Sequence, residues 1–442
     1  MKRPLLFVLL SGCCAALDAA PWPQFRGPHG DGISDAENVP LTFGEQEFLK
    51  WKTDLPGRGW SSPVSDGKTL WVTTAEEIFP DEEEKSRILK QAGEEEKVFA
   101  SRQVATRIGL SALAIDFESG KITKTVHLAK IENPQTIHTL NSFASPTPVF
   151  AGNRLYAHFG AFGTFAIDTE EGGIVWQKRI DLEHGVGPGS SPLLHDGRLF
   201  LICDGVDRQF VTALDAATGE PVWSTDRPAM RAATGDQRKS YNTPVLLVGK
   251  DGREQLVCLG AQWLVSYEPT TGEELWRLDH GDGFSVVPRP VYSPKTGLLY
   301  LSTGYGKPEL LAVRVDGTGD ITGSDHIAWR EAKRIPARPS PILVGDELYV
   351  MADGGVASCF DAATGSLHWT ERIDGNYSAS PLFADGHLFF ANHEGVVTVV
   401  KPGRSLDLVS RNALDGTIMA SPLALEGHLV IRSGTALYCF SK

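Results

Sequence analysis

Residues 191–223, SPLLHDGRLFLICDGVDRQFVTALDAATGEPVW, contain the unit from which the chain is built. A small residue and a proline open the unit, and a turn at Asp196-Gly197 joins two apolar runs. A second turn around Asp215 and Gly219 joins two more runs, the last of which ends on Trp223. Apolar runs bounded by Asp, Gly and Pro are typical of antiparallel strands. One unit therefore predicts four strands.

The opening signal recurs along the chain, apart from one insertion, with a period of roughly 40 to 50 residues, which is typical of β-propeller blades. The residues that precede its proline are Ser62, Thr147, Ser191, Thr243, Arg289, Ser340, Ser380 and Ser421. The chain has 46 Gly and 27 Pro, which suits many short strands joined by turns. The sequence predicts an all-β fold, a single eight-bladed propeller.

The last repeat, from Ser421 to Phe440, supplies only three strands. We expect the strand from Phe48 to Leu55, which carries Trp51, to complete that blade and close the ring, because closure removes open sheet edges. Tryptophans on the outer strands are expected to wedge between blades: Trp176, Trp223, Trp276, Trp329 and Trp369. Two repeats have Lys124 and Asp407 near that place, which predicts weaker contacts between those blades.

Residues 76–107 interrupt the first repeat with the charged runs EEEKSRILKQ and EEEK. Their composition predicts a helical insertion on the face where the innermost strands begin. Two roles are open for it, a lid over the central funnel and a solvated flap.

Residues 1–20 have a basic tip followed by a short apolar run, as in a signal peptide. Residues 10–13, Leu-Ser-Gly-Cys, resemble a bacterial lipobox that would lipidate Cys13; the alternative is a freely soluble exported protein. We expect residues 21–47 to lead into a propeller at 48–442. No later segment could cross a membrane. The protein is expected in the periplasm or at the outer membrane.

The remaining cysteines, Cys203, Cys258, Cys359 and Cys439, stand in apolar strands and are expected to be buried free thiols. A disulfide between Cys203 and Cys258, at matching places in successive repeats, is the alternative.

The Ala-x-Asp-x-x-Thr-Gly-x-x-x-Trp turns, together with the opening WPQFRGP at 22–28 and the run Gly319-Asp320-Ile321-Thr322, resemble bacterial pyrroloquinoline-quinone-like (PQQ-like) propeller repeat proteins. That group includes quinoprotein dehydrogenases and the outer-membrane assembly lipoprotein of the β-barrel insertion machinery. The resemblance covers nearly all of the mature chain. It is specific for the fold and weak for function.

Such dehydrogenases use two adjacent cysteines beside the quinone and hold Ca²⁺ with carboxylate and Asn ligands. Here the adjacent pair, Cys13-Cys14, lies in the leader, and no such calcium set can be placed by motif. We therefore expect no cofactor, and PQQ with Ca²⁺ belongs only to an alternative, a quinone-dependent oxidoreductase. Serine-hydrolase, zinc-protease and P-loop motifs are absent, and no histidines have metal-ligand spacing. Residues 316–320 predict a hairpin turn rather than a Ca²⁺ loop.

Loops on the funnel face hold a mixture of aromatic, amide and charged residues that suits a binding surface. The candidate residues are Arg58, Trp60, His138, Asn141, Asp204, Arg208, Tyr241, Asn242, Trp263, Tyr305, Lys307, Arg338, Asn376, Tyr377 and His393. The net charge of −13 argues against nucleic acid. We expect a monomeric, non-catalytic scaffold that binds an envelope protein or peptide. The alternatives are a small-ligand or carbohydrate binder and the quinone enzyme.

Overall fold

Eight antiparallel sheets surround a central axis in the computed structural model, which describes residues 21–442. Each sheet is one blade, numbered from the one that begins at Val64. The prediction of an all-β, eight-bladed propeller is confirmed.

The strand bounds follow from the innermost strand of each blade outward. Blade 1 comprises Val64–Ser65, Thr69–Ile78, Arg107–Asp116 and Ile122–Glu132, and blade 2 comprises Val149–Ala151, Arg154–His158, Thr164–Asp168 and Ile174–Lys178. Blade 3 comprises Leu193–His195, Arg198–Asp204, Gln209–Asp215 and Pro221–Asp226, and blade 4 comprises Val245–Val248, Glu254–Leu259, Trp263–Tyr267 and Glu274–Asp279. Blade 5 comprises Val291–Ser293, Leu298–Ser302, Leu310–Arg314 and Ile327–Glu331, and blade 6 comprises Ile342–Val344, Glu347–Met351, Val356–Asp361 and Leu367–Arg372. Blade 7 comprises Leu382–Ala384, His387–Ala391, Val396–Lys401 and Asp407–Ala413, and blade 8 comprises Leu423–Leu425, His428–Arg432, Ala436–Ser441 and Leu49–Asp54. The helical elements are the α-helix Glu82–Gln91 and the 3₁₀ turns Glu96–Ser101, Gly160–Phe162 and Gly235–Gln237.

The N-terminal strand closes the ring as the sequence predicted. Leu49–Asp54 pairs antiparallel with Ala436–Ser441, which places Trp51 opposite Cys439. The Trp51 indole then donates a hydrogen bond of 2.9 Å to the Phe117 carbonyl of blade 1. The first and last blades are thus joined both within a sheet and across the gap between sheets.

The hydrophobic core lies between the blades. In the second strand of blade 1, Leu70 and Val72 belong to a buried cluster with Val430 of blade 8. The intervening Trp71 packs in a different cluster with Leu155 of blade 2. Alternate residues of a strand point to opposite faces, so each inner strand needs apolar residues on both faces, which explains its nearly unbroken apolar run.

The residues before the repeated prolines form a series of hydrogen bonds around the axis, which we call the hydroxyl ring and which is interrupted between Thr243 and Arg289. The backbone N–H of Ser62 donates to Thr147 Oγ1 at 2.9 Å, and that of Thr147 donates to Ser191 Oγ at 2.9 Å. The same bond, each time from one blade to the next, joins Ser191 to Thr243, Arg289 to Ser340, Ser340 to Ser380, Ser380 to Ser421, and Ser421 back to Ser62. The repeat requires Ser or Thr because the hydroxyl accepts this bond.

Four outer tryptophans donate a hydrogen bond to the outer turn of the following blade: Trp176, Trp223, Trp329 and Trp369. The Trp276 indole instead donates to Gln255 of its own blade. The Trp176 indole donates to the Ala216 carbonyl at 2.9 Å. A Cβ on Gly219 would lie 2.5 Å from the Trp176 ring, and Gly219 has φ +75°. The turn glycine therefore meets two needs, a left-handed backbone and close contact with the preceding blade.

The contact expected to be weak at Lys124 is formed by a different group. Lys124 Nζ donates to the Thr169 carbonyl of blade 2 at 2.8 Å and also bonds the Glu170 carbonyl. The ammonium thus reaches the same outer turn that an indole reaches in other blades. A long side chain therefore supplies a hydrogen-bonded contact at this position in place of a tryptophan.

The insertion in blade 1 is shorter than the predicted residues 76–107. The two strands that flank it remain paired as far as Ile78 and Arg107. Its helix Glu82–Gln91 begins with an Asp81 cap, and Leu89 is its buried residue. A short strand, Arg102–Gln103, then pairs with Ile137–His138 before the chain returns. Most residues of the helix are exposed or half-buried, and the segment that follows it is attached to the loop entering blade 2.

The turn near residue 320 forms neither a simple hairpin nor a calcium loop. Gly319–Asp320 pairs parallel with Trp276 and Arg277 on the outer edge of blade 4. Arg277 Nε lies 3.2 Å from the Asp320 carboxylate, which fixes the added strand. This segment covers a sheet edge.

The four cysteines within residues 21–442 are buried and free, as expected. The Cys203–Cys258 disulfide is therefore not formed. Burial raises the pKa of the Cys258 thiol to about 12, so the thiol stays protonated and unreactive at neutral pH.

Candidate functional site

A cavity of about 400 Å³ lies on the propeller axis. All eight blades line it, mainly with residues from the loops that enter the innermost strands. Its lower wall includes seven members of the hydroxyl ring: Ser62, Thr147, Ser191, Thr243, Ser340, Ser380 and Ser421. We call this cavity the cup. Its size is within the range of ligand pockets, roughly 300 to 1,000 Å³.

The floor of the cup is the N-terminal segment, residues 22–36, which we call the plug. Phe25 of the plug lines the cup. Trp22 exchanges two backbone hydrogen bonds of 2.9 Å with Ser65 of blade 1, and the Ser34 amide donates to the Phe383 carbonyl of blade 7 at 2.8 Å. Phe25 also accepts a hydrogen bond from Arg289 of blade 5, which lies opposite blade 1. The segment therefore crosses the axis and closes one end of the central channel.

Two buried arginines hold the plug. Arg289 donates to the carbonyls of Phe25, at 2.9 Å, and Pro244, at 3.0 Å. Arg26 of the plug donates to the Pro341 carbonyl at 2.8 Å. Burial lowers the pKa of Arg26 to about 9 and that of Arg289 to about 10. Arg289 is the one non-hydroxyl member of the repeated Ser/Thr-Pro signal, so the exception in the repeat identifies the residue that anchors the floor.

Six of the predicted residues line the cup: Trp60, His138, Asn141, Tyr241, Tyr305 and Arg338. They come from blades 1, 2, 4, 5 and 6. Arg58 and His393 lie directly behind them. The Arg58 guanidinium is 5.5 Å from the Trp60 ring centroid, and His393 Nε2 is 2.9 Å from Ser378 Oγ, which lines the cup.

Four other predicted residues do not line the cup and have local partners or solvent. Arg208 pairs with Asp226 at 3.3 Å, and Lys307 is exposed. The Trp263 indole donates to the Ala229 carbonyl at 3.1 Å, and Asn376 Nδ2 donates to the Glu394 carboxylate at 2.8 Å. We keep them as outlying candidates on the loops around the cup.

Three predicted residues are buried and cannot contact a partner, so they leave the candidate set. Asp204 forms an ion pair with Arg227 at 3.0 Å, and neither side chain is accessible beyond 1%. Asn242 Nδ2 donates to the Pro288 carbonyl at 2.5 Å, linking blades 4 and 5. Tyr377 has no exposed surface and packs in the core beside blade 6. Polar type alone did not distinguish these residues from those that face the opening.

Lys239, two positions before Tyr241, also lines the cup, and its ammonium pairs with Asp236. The structure adds a residue that sequence reasoning missed. Arg102 of the insertion binds the Glu94 carboxylate through Nε, at 2.9 Å, and Nη2, at 3.2 Å. Arg102 pairs in a strand with His138, which lines the cup. This pairing places Arg102 beside the cup, and nothing in the sequence indicates it.

Among residues 21–442, no aspartate or glutamate lines the cup, whereas His138, Lys239 and Arg338 do. Burial lowers the pKa of His138, and the nearby charges of Arg102, Lys239 and Arg338 lower it further. Burial likewise lowers the pKa of Lys239, against the opposing effect of Asp236. The ionisable groups of the cup other than its tyrosines are therefore basic, and they lie in a lining whose surface is mostly apolar.

The Ser378–His393 hydrogen bond does not make a catalytic triad. The described part of the chain gives His393 no hydrogen bond to a carboxylate, which would orient the ring in such a triad. The positive charge of Arg338 lowers the pKa of His393 further, in addition to the effect of burial.

The lining does not fit a quinone held by Ca²⁺. Calcium takes six to eight oxygen ligands, usually including carboxylates. Among the described residues, no carboxylate lines the cup. The amide oxygen of Asn141 is already engaged, because Oδ1 accepts hydrogen bonds from the Ser142 backbone N–H at 2.8 Å and from Ser145 Oγ at 2.6 Å. Within residues 21–442, no three His, Cys, Asp or Glu side chains form a metal-binding group.

An eight-bladed ring with a central cup defines a PQQ-like propeller protein. The chain belongs to the family whose model is described as outer membrane protein assembly factor BamB, which matches residues 66–318 and 260–417. The structure of BamB from Moraxella catarrhalis aligns with a TM-score of 0.53 and 14% identity, covering 75% of this chain and 93% of that one.

Quinoprotein enzymes are similar too. Quinohemoprotein alcohol dehydrogenase ADHIIG from Pseudomonas putida HK5 aligns with a TM-score of 0.61 and 10% identity, covering 96% of this chain and 80% of that one. Quinohemoprotein alcohol dehydrogenase ADH IIB from Pseudomonas putida is 28% identical over 173 residues, which is 38% of this chain and 22% of the relative. The match thus spans about a fifth of that relative. At these identities, the solved structures establish the fold alone.

None of the helices in residues 21–442 is both long and apolar enough to cross a membrane.

Proposed function

We propose that the protein is a non-catalytic scaffold that binds a protein or peptide partner at the mouth of the cup. The mouth is the open end of the cup, with Trp60, Leu140, Tyr305 and Arg338. The observation that carries this proposal is the convergence of Trp60, Tyr305 and Arg338, from three different blades, on one concave opening. Large aromatic and Arg side chains in a rigid concave setting are typical of binding hot spots. Leu140 adds an apolar contact, since it lines the mouth and is 44% exposed.

A cell-envelope location accords with this role. The family description concerns outer-membrane protein assembly, and residues 1–20 have the composition of a leader peptide. We propose that residues 1–20 are removed or lipidated at Cys13, which lies outside the described residues. Residues 21–47 would then lead into a propeller at 48–442, and the mature protein would act as a monomer in the periplasm or at the outer membrane.

A small ligand is the second candidate, because the cup has a closed floor and about 400 Å³ of space. Its hydroxyls and aromatic rings would suit a carbohydrate or another polar molecule. A quinone-dependent oxidation has less support, since the described lining supplies none of the carboxylates that Ca²⁺ prefers.

The proposal is tested by capture of partners from an envelope extract. A Trp60→Ala/Arg338→Ala variant should retain fewer specific partners than the wild type, because it removes an aromatic and a cationic group from the mouth. The matched control, Val248→Ala/Lys295→Ala, changes an exposed apolar residue and an exposed cation at the ends of innermost strands away from the cup.

The control should retain the partners of the wild type. Equal retention by the mouth variant and the wild type, at equal folded protein, would contradict the proposal. Retention by neither protein would contradict it as well.

A further inference from the structure

The cup has one open end, which restricts what it can hold. Phe25 of the plug, with the buried Arg26 and Arg289 that hold the plug in place, closes the other end. An extended chain that passed through the cup would need two openings. A chain end or a small molecule can enter, and the middle of a peptide cannot.

In two ion pairs beside the cup, the cation lines the cavity and its carboxylate partner does not. Arg338 and Lys239 line the cup, whereas their partners Asp353 and Asp236 do not. Arg338 donates to the Asp353 carboxylate through Nε at 2.8 Å. Within residues 21–442, the Arg338 side chain makes no other hydrogen bond. Both terminal nitrogens of its guanidinium are therefore left for a ligand. A guanidinium fork matches the two oxygens of a carboxylate.

Two further donors in the lining have no partner among the described residues. The hydroxyl of Tyr241 and the indole nitrogen of Trp60 are both shielded from solvent and unbonded. A buried polar group without a partner is costly. A ligand with acceptor oxygens would satisfy these donors.

Tyr241, Tyr305 and Arg338 line the cup from the neighbouring blades 4, 5 and 6. Tyr241 therefore lies on the side of the cup where the Arg338 fork would hold a carboxylate.

We infer that the cup binds the C-terminal carboxylate of a peptide, with the Arg338 guanidinium as the main ligand and the Tyr241 hydroxyl as a second donor. This inference rests on the proposed function and specifies which part of the partner enters the cup. The closed floor favours a chain end, and the absence of carboxylates from the described lining favours an anion.

The test uses two pools of fluorescein-labelled tetrapeptides, random in the last three positions, that end in a free carboxylate or in a carboxamide. Binding to the whole mature chain is measured by fluorescence anisotropy. The acid pool should bind about tenfold to a hundredfold more tightly than the amide pool, which is the range of charge-assisted hydrogen bonds. Arg338→Gln should abolish this preference, and Lys295→Gln, the same charge change on the opposite face, should retain it.

Arg338→Gln should fold, because Asp353 still accepts hydrogen bonds from the backbone N–H groups of Ala337, at 2.9 Å, and residue 338, at 3.1 Å. Tyr241→Phe is a second variant that keeps the ring, and it should weaken binding of the acid pool severalfold without affecting the amide pool. Equal binding of the two pools, or no binding of either up to about 1 mM, would overturn the inference. A preference that persists in folded Arg338→Gln would overturn it too. Partner capture by the mouth residues would still stand in those cases, so the two proposals fail separately.

Discussion

Replacing Asp204 with asparagine would remove the carboxylate that neutralises Arg227 inside the propeller. Arg227 Nε lies 3.1 Å from Asp204 Oδ1, and Nη2 lies 3.0 Å from Oδ2. The remaining terminal nitrogen of Arg227 donates to the Cys258 carbonyl of blade 4 at 2.8 Å. The substitution would leave a cation in the interior without its counterion.

Breaking a buried pair costs about 3 to 5 kcal/mol. Unfolding entropy is about 2.1 cal/mol/K per residue near 60 °C, or about 0.9 kcal/mol/K for roughly 420 residues, so Tm should fall by about 3 to 6 °C. Differential scanning calorimetry at pH 7 measures this shift.

The matched control is Asp204→Leu/Arg227→Met, which removes both charges and should melt above Asp204→Asn. A single variant that melts within about 1 °C of the wild type would refute the assignment of Asp204 to the interior. So would a double variant that melts no higher than the single variant.

Two further changes probe the blade contacts and the buried histidines. Gly219→Ala should lower Tm by about 1 to 3 °C more than Gly197→Ala does. Both glycines have positive φ, but only at Gly219 would a Cβ meet the Trp176 ring. Equal shifts in Tm would contradict the packing role of Gly219. Burial lowers the pKa of His158 to about 4 and that of His184 to about 3. Their neutral forms stabilise the fold fully above pH 6.5, and this contribution is lost as pH falls, by about 2 kcal/mol each at pH 5. Calorimetry at pH 7.5 and pH 5 should therefore show a smaller loss of Tm in His184→Gln than in the wild type, and an equal loss would refute this prediction.

The fold could be predicted because its determinants repeat. The Ser/Thr-Pro signal gave the number of blades, and the incomplete last repeat indicated that Trp51 closes the ring. The reason for the hydroxyl could not be found from one repeat, since Ser62 bonds the next blade and accepts from the last. Lys124 shows the same limit, because its partner carbonyls belong to another blade.

The site was less predictable, because a loop's polar residues face either the axis or the interior, and the sequence does not distinguish the two. Tyr241 and Asn242 are neighbours, yet the first lines the cup and the second binds a carbonyl of blade 5. The plug was missed for a different reason. Phe25 occurs once and has no counterpart in other repeats, so no periodic signal marked it as the floor.

The most direct test of partner binding at the mouth of the cup is site-specific photocrosslinking in envelope preparations. Leu140→p-benzoylphenylalanine places the probe at the mouth, and Val248→p-benzoylphenylalanine places it at an exposed aliphatic position on the opposite face. We predict a discrete crosslinked partner from the Leu140 probe that is absent from the Val248 probe and is reduced by adding Arg338→Ala. The same products from both probes, or none from Leu140, would contradict binding at the mouth.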